Sequence, residues 1–267
     1  GFDTLFMLLW RDRELVMDLR ELISGNRVHS SMETLGGVRW DIKPEHGLKI
    51  KYNLKKLEGE VRRYLDLFTS DRTILARCEG VGVLKRQDAL ELCAVGPTAR
   101  GSGVDFDVRR DDPYAAYADL EFEVVTEVEG DVLARALVRL REVLESIEVI
   151  RAALDAMPKG SLRVRFPPEV PANEALARVE APRGELLYYV MSRGGDRPER
   201  VRIRTPTYAN FPALKPMLVG ATIADVPIVL ASIDPCFSCT DRITVVDVET
   251  GASRVITKQE LRRLRGR

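Results

Sequence analysis

Between residues 131 and 155 apolar side chains recur at Leu133, Leu137, Leu140, Leu144, Ile147 and Leu154, while Arg139, Glu142, Glu145 and Glu148 fall elsewhere around the helix. This is the strongest periodicity in the chain. It predicts an amphipathic helix whose apolar stripe must be covered by other elements. Two upstream segments can provide the cover. Residues 3 to 24 carry Leu15, Leu19, Leu22 and Ile23 at helical spacing and stop at Ser24-Gly25, and Leu54, Leu57, Val61, Leu65 and Phe68 mark a second helix. A helical bundle core follows.

The pattern changes elsewhere. Gly96 to Tyr117 is rich in Gly, Pro and Asp, so it reads as a loop. After Met157-Pro158, the runs Leu186 to Ser192 and Val201 to Arg204 flank a Gly-Gly-Asp-Arg-Pro turn, which predicts a β-hairpin. Phe211 to Ile233 is apolar but interrupted by Pro212, Pro216 and Pro227, giving a short helix, a bend and a buried segment. Ile243 to Arg267 suggests strand, turn at Glu249-Thr250-Gly251, strand and basic helix. The expected class is α+β: a helical core over residues 1–158, a β-hairpin and cysteine-loop region over 159–242, and an extension over 243–267.

Forty-one basic residues balance forty-one acidic ones, which argues against nucleic acid as a partner. The longest apolar run, Leu5 to Trp10, is far short of the roughly 20 residues of a membrane span. The chain does not open on Met or on a secretory signal, so residue 1 reads as an internal start. Cys78 and Cys93 stand alone in stretches that look packed, and both are expected to be core thiols. No disulfide framework is indicated, which points to cytosolic chemistry.

The remaining cysteines, Cys236 and Cys239, lie in DPCFSCTDR. A C-x-x-C lets two thiolates reach one metal as soft ligands for nickel, iron or zinc. A thioredoxin-like redox pair, or half of a structural zinc site, stays open on the spacing alone. The zinc reading needs Cys78 and Cys93 to converge on the pair, since His29 and His46 are the only histidines. The thioredoxin reading wants the motif opening a helix near the start of a small domain, whereas here it comes late, after Asp234-Pro235. Gly101-Ser102-Gly103 lacks the strand-loop-helix order and the Lys-Ser/Thr ending of a P-loop, so nucleotide binding there is rejected.

DPCFSCTDR resembles the second cysteine motif of nickel-iron hydrogenase large subunits. APRGELLYY (181–189) and TPTYAN (205–210) resemble two further segments of that family. SGNRVH (24–29), LGGVRWD (35–41), GPTARGSGVDFDVRRDDPYAAY (96–117) and RPERVRIRTP resemble the homologous 49 kDa subunit of NADH-quinone oxidoreductase (complex I) and the membrane-bound energy-converting hydrogenases of shared ancestry. The likeness spans most of the chain. In complex I the corresponding positions to Cys236 and Cys239 are not cysteine, and soluble hydrogenases usually carry His where Arg242 stands, so the resemblance points to the energy-converting branch. The family's first cysteine pair, in an R-x-C-G-x-C type motif, and a nearby glutamate are absent from this chain.

The resemblance implies an α+β fold and a nickel-iron centre with cyanide and carbon monoxide on iron, in which Cys236 is a terminal nickel thiolate and Cys239 a bridging one. It implies that Arg183 stands over the open site and that Asp234 orients Arg183 or the ligand loop, against plain roles as a salt bridge and a turn. Pro206 and Thr207 would face the iron's cyanide ligands, against a role in the turn leaving the hairpin. His29 would lie near a small subunit carrying a [4Fe-4S] cluster. Further implied partners are membrane antiporter-like subunits and ferredoxin as electron donor, with the chain peripheral on the cytoplasmic face of the cell membrane. The reaction implied is reversible proton reduction coupled to ion translocation. A quinone-reducing, NADH-linked complex I role, a sulfur-reducing role and a non-catalytic scaffold remain as alternatives.

Overall fold

A stripe as long as that of residues 131–155 needs partners of similar length, and the computed structural model, which describes residues 3–165, 167, 169–240, 243–256 and 258–265, contains two. In chain order the elements are α1 (Asp3–Ser24), β1 (Glu33–Thr34), β2 (Gly37–Val38), α2 (Pro44–Ser70), α3 (Arg72–Cys78), α4 (Arg86–Glu91), α5 (Pro97–Arg100), α6 (Val108–Asp111), α7 (Val132–Asp155), β3 (Val170–Ala181), β4 (Gly184–Gly195), β5 (Arg200–Arg204), α8 (Pro206–Asn210), α9 (Leu214–Leu218), α10 (Val226–Ser232), β6 (Ile243–Val246), β7 (Ser253–Ile256) and α11 (Lys258–Arg265). The class is α+β, as the sequence predicts.

Asp131 starts α7 as an N-cap: its carboxylate accepts hydrogen bonds from the Ala134 N–H at 2.7 Å and the Gly80 N–H at 2.8 Å, so the cap also ties down the loop after α3. Leu19 of α1, Ile50 and Leu54 of α2 and Ile147 of α7 meet in one apolar cluster. A second cluster joins Leu5, Tyr64, Ile74, Leu84, Val132, Met217, Val229 and Ile233, packing α9 and α10 onto the bundle. Each such aliphatic side chain, fully buried, contributes about 1.5–3 kcal/mol. That second cluster matters most for function, because α10 leads into the cysteine loop.

The predicted helix around residues 54–68 begins ten residues earlier, at Pro44, which occupies the first turn where its missing N–H costs nothing. The Gly96–Tyr117 loop holds two single-turn helices, α5 and α6. Cys93 departs from expectation. It is exposed, not a core thiol, because α4 has ended and the residue turns outward at φ 53° before the chain re-enters the core at Val95; Cys78 is buried as expected.

The predicted hairpin is present, with Leu187 opposite Arg204 and Met191 opposite Arg200. It forms part of a three-stranded antiparallel sheet in the order β3-β4-β5. β3 is invisible to periodicity, since VPANEALARVEA is rich in helix-favouring Ala, Glu, Leu and Arg. Pairing along β4, ending at Ala181 opposite Gly184, overrides that preference and makes Pro182-Arg183 the tip of a tight turn. β6 and β7 pair antiparallel across a turn closed by Gly251 N–H donating to Asp247 O at 2.9 Å, and α11 follows, as predicted. Arg242 lies outside the described residues. Among the described residues no helix is long and apolar enough to cross a membrane.

Candidate functional site

Four short segments, each ending a different element, converge on the cysteines. α10 stops at Ser232, Asp234 reverses the chain with φ 51°, and Pro235 leads into a 3-10 turn over Phe237–Thr240. The Cys239 N–H donates to Cys236 O at 3.0 Å, which puts both side chains on one side of the turn with their sulfurs 2.7 Å apart. A three-residue offset in a 3-10 turn aligns side chains, so the spacing and the turn together make the pair.

The pair shares its protons unequally. The hydrogen bond from Cys239 draws the Cys236 thiol below the usual thiol range, with Arg183 adding to the effect. Burial pushes Cys239 up to about 11, and the neighbouring Cys236 sulfur adds to it. Of the two, Cys236 is therefore the more readily ionised, and Cys239 is the thiol that donates to it.

α8 grips this loop from below. The Cys236 N–H donates to Thr207 Oγ1 at 3.1 Å, and Thr205 Oγ1 donates to Cys239 O at 3.1 Å. Thr207 and Pro206 are buried. The β3–β4 turn reaches over from the other side: Arg183 Nε donates to the backbone carbonyl of Asp234, and Nη2 to Asp234 Oδ1 at 3.0 Å. Arg183, Asp234, Pro206, Thr207, Cys236 and Cys239, all singled out in the sequence, are thus brought together.

Asn210 locks the arrangement. Its Oδ1 accepts from Val95 N–H at 2.8 Å, and its Nδ2 donates to Val95 O at 3.2 Å and to Arg183 O at 3.3 Å. Beside it, Gly96 and Gly184 pack backbone to backbone; a Cβ on Gly96, at φ 65°, would stand 2.5 Å from Arg183 O and collide with Gly184.

Sequence reasoning missed several neighbours. Arg135 is fully buried, donating to Gly130 O at 2.6 Å, Gly82 O at 2.9 Å and Ser232 Oγ at 2.8 Å. It thereby holds the end of α10 just before Asp234. Arg139, one helical turn on, buries its Nε and Nη2 without a hydrogen-bond partner among the described residues, and burial pushes it down to about 10 with Asp234 opposing. Arg100 and Glu180 also escaped notice, and Thr205 and Asn210, the ends of the TPTYAN segment, carried no role of their own in the sequence. Arginines four apart on a helix that already has an apolar stripe were the available signal.

His29 sits exposed on the loop after α1, its N–H held by Asn26 Oδ1 at 2.9 Å, and no hydrogen bond among the described residues joins it to the cysteine loop. The four-ligand zinc set does not form: Cys78 is buried in the apolar cluster, Cys93 is exposed, and among the described residues no group of three or more His, Cys, Asp or Glu is placed to hold a metal ion. Two adjacent soft sulfur donors capped by a permanent cation fit one half of a four-thiolate nickel-iron ligand set. Completing that set takes two further donors.

The family model described as the 49 kDa subunit of the respiratory-chain NADH dehydrogenase matches residues 1–167 and 162–242. The carbon monoxide-induced hydrogenase of Rhodospirillum rubrum is 44% identical over 91% of this chain and 67% of its own length. The membrane-bound hydrogenase subunit alpha of Pyrococcus furiosus is 40% identical over 99% of this chain and 65% of its own length. A chain from the structure of the membrane-bound sulfane sulfur reductase, an archaeal respiratory membrane complex, superposes with a TM-score of 0.82 at 37% identity, covering 88% of this chain and 66% of that one. The chain therefore spans about two thirds of the length of these relatives.

Proposed function

The chain belongs to the family of the 49 kDa subunit of the respiratory-chain NADH dehydrogenase, and on that premise we propose that it is the large-subunit portion of a membrane-bound, energy-converting nickel-iron hydrogenase. The single observation that carries the reading is the thiol pair: Cys236 and Cys239, 2.7 Å apart under Arg183, at positions where the resemblance puts no cysteine in quinone-reducing members. A quinone site has no use for two converging soft ligands.

In this reading Cys236 and Cys239 would hold nickel and iron together with a second cysteine pair, and the bound group would supply reversible hydrogen oxidation and proton reduction. The chain's own contribution is positional and electrostatic. Thr205 and Thr207 fix the loop backbone, so both sulfurs are presented without reorganisation. The Arg183 guanidinium favours thiolate at Cys236 and is held in place by Asp234. Pro206 and Thr207 wall the side toward α8, where iron's small ligands would lie.

The implied partners are a small subunit carrying a [4Fe-4S] cluster, ferredoxin as donor and antiporter-like membrane subunits, with this chain peripheral on the cytoplasmic face. The relatives named as a membrane-bound hydrogenase subunit and as part of a respiratory membrane complex support that assignment. The deciding test is elemental analysis of the anaerobically purified native complex, with every chain in it sequenced. About one nickel per copy, a second C-x-x-C in the assembly and hydrogen uptake are expected; absence of nickel overturns the reading.

The likeness to the sulfane sulfur reductase chain favours a second reading. The Cys236 thiolate would attack the terminal sulfur of a polysulfide, breaking its S–S bond and releasing the shortened polysulfide. Cys239, giving up its proton, would then displace hydrosulfide from the resulting persulfide, leaving a Cys236–Cys239 disulfide that two electrons from the partner's cluster reduce again. Sulfide release without hydrogen uptake by the same complex selects this reading.

A further inference from the structure

A cleft of about 370 Å³ opens beside the cysteine loop. Pro182, next to Arg183, and Asp234, two residues before Cys236, are among the residues that line it. Its wall follows α7 through Arg139, Glu142 and Ser146, which at 1.5 Å per residue covers roughly 10 Å of helix. The volume accommodates about a dozen water molecules at roughly 30 Å³ each.

The cleft's charge is organised around one guanidinium. Arg100, 2% exposed, donates from Nε to Glu142 Oε1 at 2.6 Å and from Nη1 to Glu180 Oε1 at 2.9 Å, and lies 3.4 Å from Asp107. Arg109 also pairs with Asp107, at 2.6 Å. Three carboxylates thus face two cations. Arg139, on the same helix as Glu142, also lines the cleft, and its Nε and Nη2 have no hydrogen-bond partner among the described residues. A carboxylate enclosed in such a cluster is where a proton is most readily held.

Glu180 is the most enclosed of the carboxylates that line the cleft, 4% exposed, and its residue number sets it two positions before Pro182. The groups that face it are Arg100, Asp107, the Val108 N–H, Tyr114, Arg109, Tyr117, Arg139, Glu142 and Asp234. Burial pushes its carboxyl above the usual carboxylate range, with Arg100 opposing and Asp107 assisting.

We propose that this cleft is the proton route of the two-thiol site and that Glu180, sharing Arg100 with Glu142, holds the proton in transit. The proposal rests on the thiol pair being a reaction centre, whichever electron acceptor it serves. A proton leaving the site enters the cleft beside Asp234 through water, forms an O–H on the Glu180 carboxyl, and passes to bulk solvent along the Glu142 and Ser146 wall. Glu180 is a relay residue, touching neither thiol nor substrate.

Two measurements test it. First, in the full chain labelled with 13C at glutamate carboxyls, the resonance missing in Glu180→Gln identifies Glu180, and its pH titration is followed by NMR. A midpoint above the ordinary glutamate range is expected; one at or below that range overturns the proposal. Second, Glu180→Gln is placed in the native complex, where Arg100 keeps Glu142 and Asp107 and is not left bare. Expected are a tenfold or greater fall in turnover of hydrogen or polysulfide, whichever the wild type uses, with unchanged metal content and KM, a larger solvent isotope effect, and recovery in Glu180→Asp. Full turnover in Glu180→Gln, or loss of turnover together with loss of metal or thermal stability, overturns it. A wild-type complex without nickel or hydrogen uptake refutes the hydrogenase reading but leaves both measurements decisive for Glu180.

Discussion

Replacing Asn210 with Ala removes the clamp that joins α8, the Val95-Gly96 segment and the Arg183 turn. Three hydrogen bonds disappear, at 2.8, 3.2 and 3.3 Å, and their partners are backbone groups in an interior where Asn210 is fully buried. A net hydrogen bond contributes about 1 kcal/mol, and a buried group left without a partner costs about 1–3 kcal/mol. Val95 N–H loses its acceptor and carries the full cost, while the two carbonyls, with weaker bonds, carry less. The loss comes to about 3 kcal/mol. At roughly 2–4 °C per kcal/mol for a chain of this size, Tm falls by about 6–12 °C. Asn210→Asp keeps an acceptor for Val95 N–H but loses both donors and buries a charge, so it should cost at least as much. Circular dichroism melts and urea titrations of the three proteins measure this. A loss below 1 kcal/mol in both variants refutes the assignment of Asn210 as the lock of the site.

Gly96→Ala should destabilise by about 3 kcal/mol or more, because the added methyl meets Gly184 and Arg183 O at a positive φ; limited proteolysis of the freshly expressed variant would show it, and wild-type resistance would contradict it. In the metal-free chain near pH 7.5, iodoacetamide should label Cys236 before Cys239, since the one thiol is lowered and the other pushed up to about 11; equal labelling read by peptide mass spectrometry defeats the proton-sharing picture. Arg183→Met removes a cation that favours the Cys236 thiolate, so labelling of Cys236 at that pH should slow several-fold while Cys93, exposed on the loop after α4, reacts as before. Arg135→Met leaves Gly82 O without its donor, while Gly130 O keeps the Leu84 N–H, and should cost about 2 kcal/mol in urea unfolding, with α10 and the cysteine loop losing amide-exchange protection first.

Much of the fold was legible in the residues. The helices at 3–24 and 131–155 follow from apolar spacing, and the hairpin follows from its turn and flanking β-branched residues. The start of α2 was not legible, because residues 44–53 contain Gly47 and several charges; burial of Ile50 against the bundle carries the helix through them. Cys93 misled because its neighbours Leu92, Ala94 and Val95 are apolar, while a single left-handed residue aims its own side chain outward. β3 misled through its composition. Pairing with β4 decided a conformation that local preference alone would have made helical.

For the site, the sequence by itself determined the chemistry on offer: two thiols at a spacing that one turn brings together, a permanent cation in APRG, and hydroxyls and an amide in TPTYAN. Those are local properties, encoded within a few residues of each other. Only the tertiary structure decided that these pieces meet. Asn210 reaches Val95 across 115 residues, Arg183 reaches Asp234 across 51, and Arg100 reaches Glu180 across 80. Periodicity reports which face of an element is buried but not what lies opposite it. That partner is chosen by fit between distant surfaces, as where Gly96 and Gly184 allow two backbones to touch, and by the requirement that buried charges such as Arg100 and Glu180 find one another.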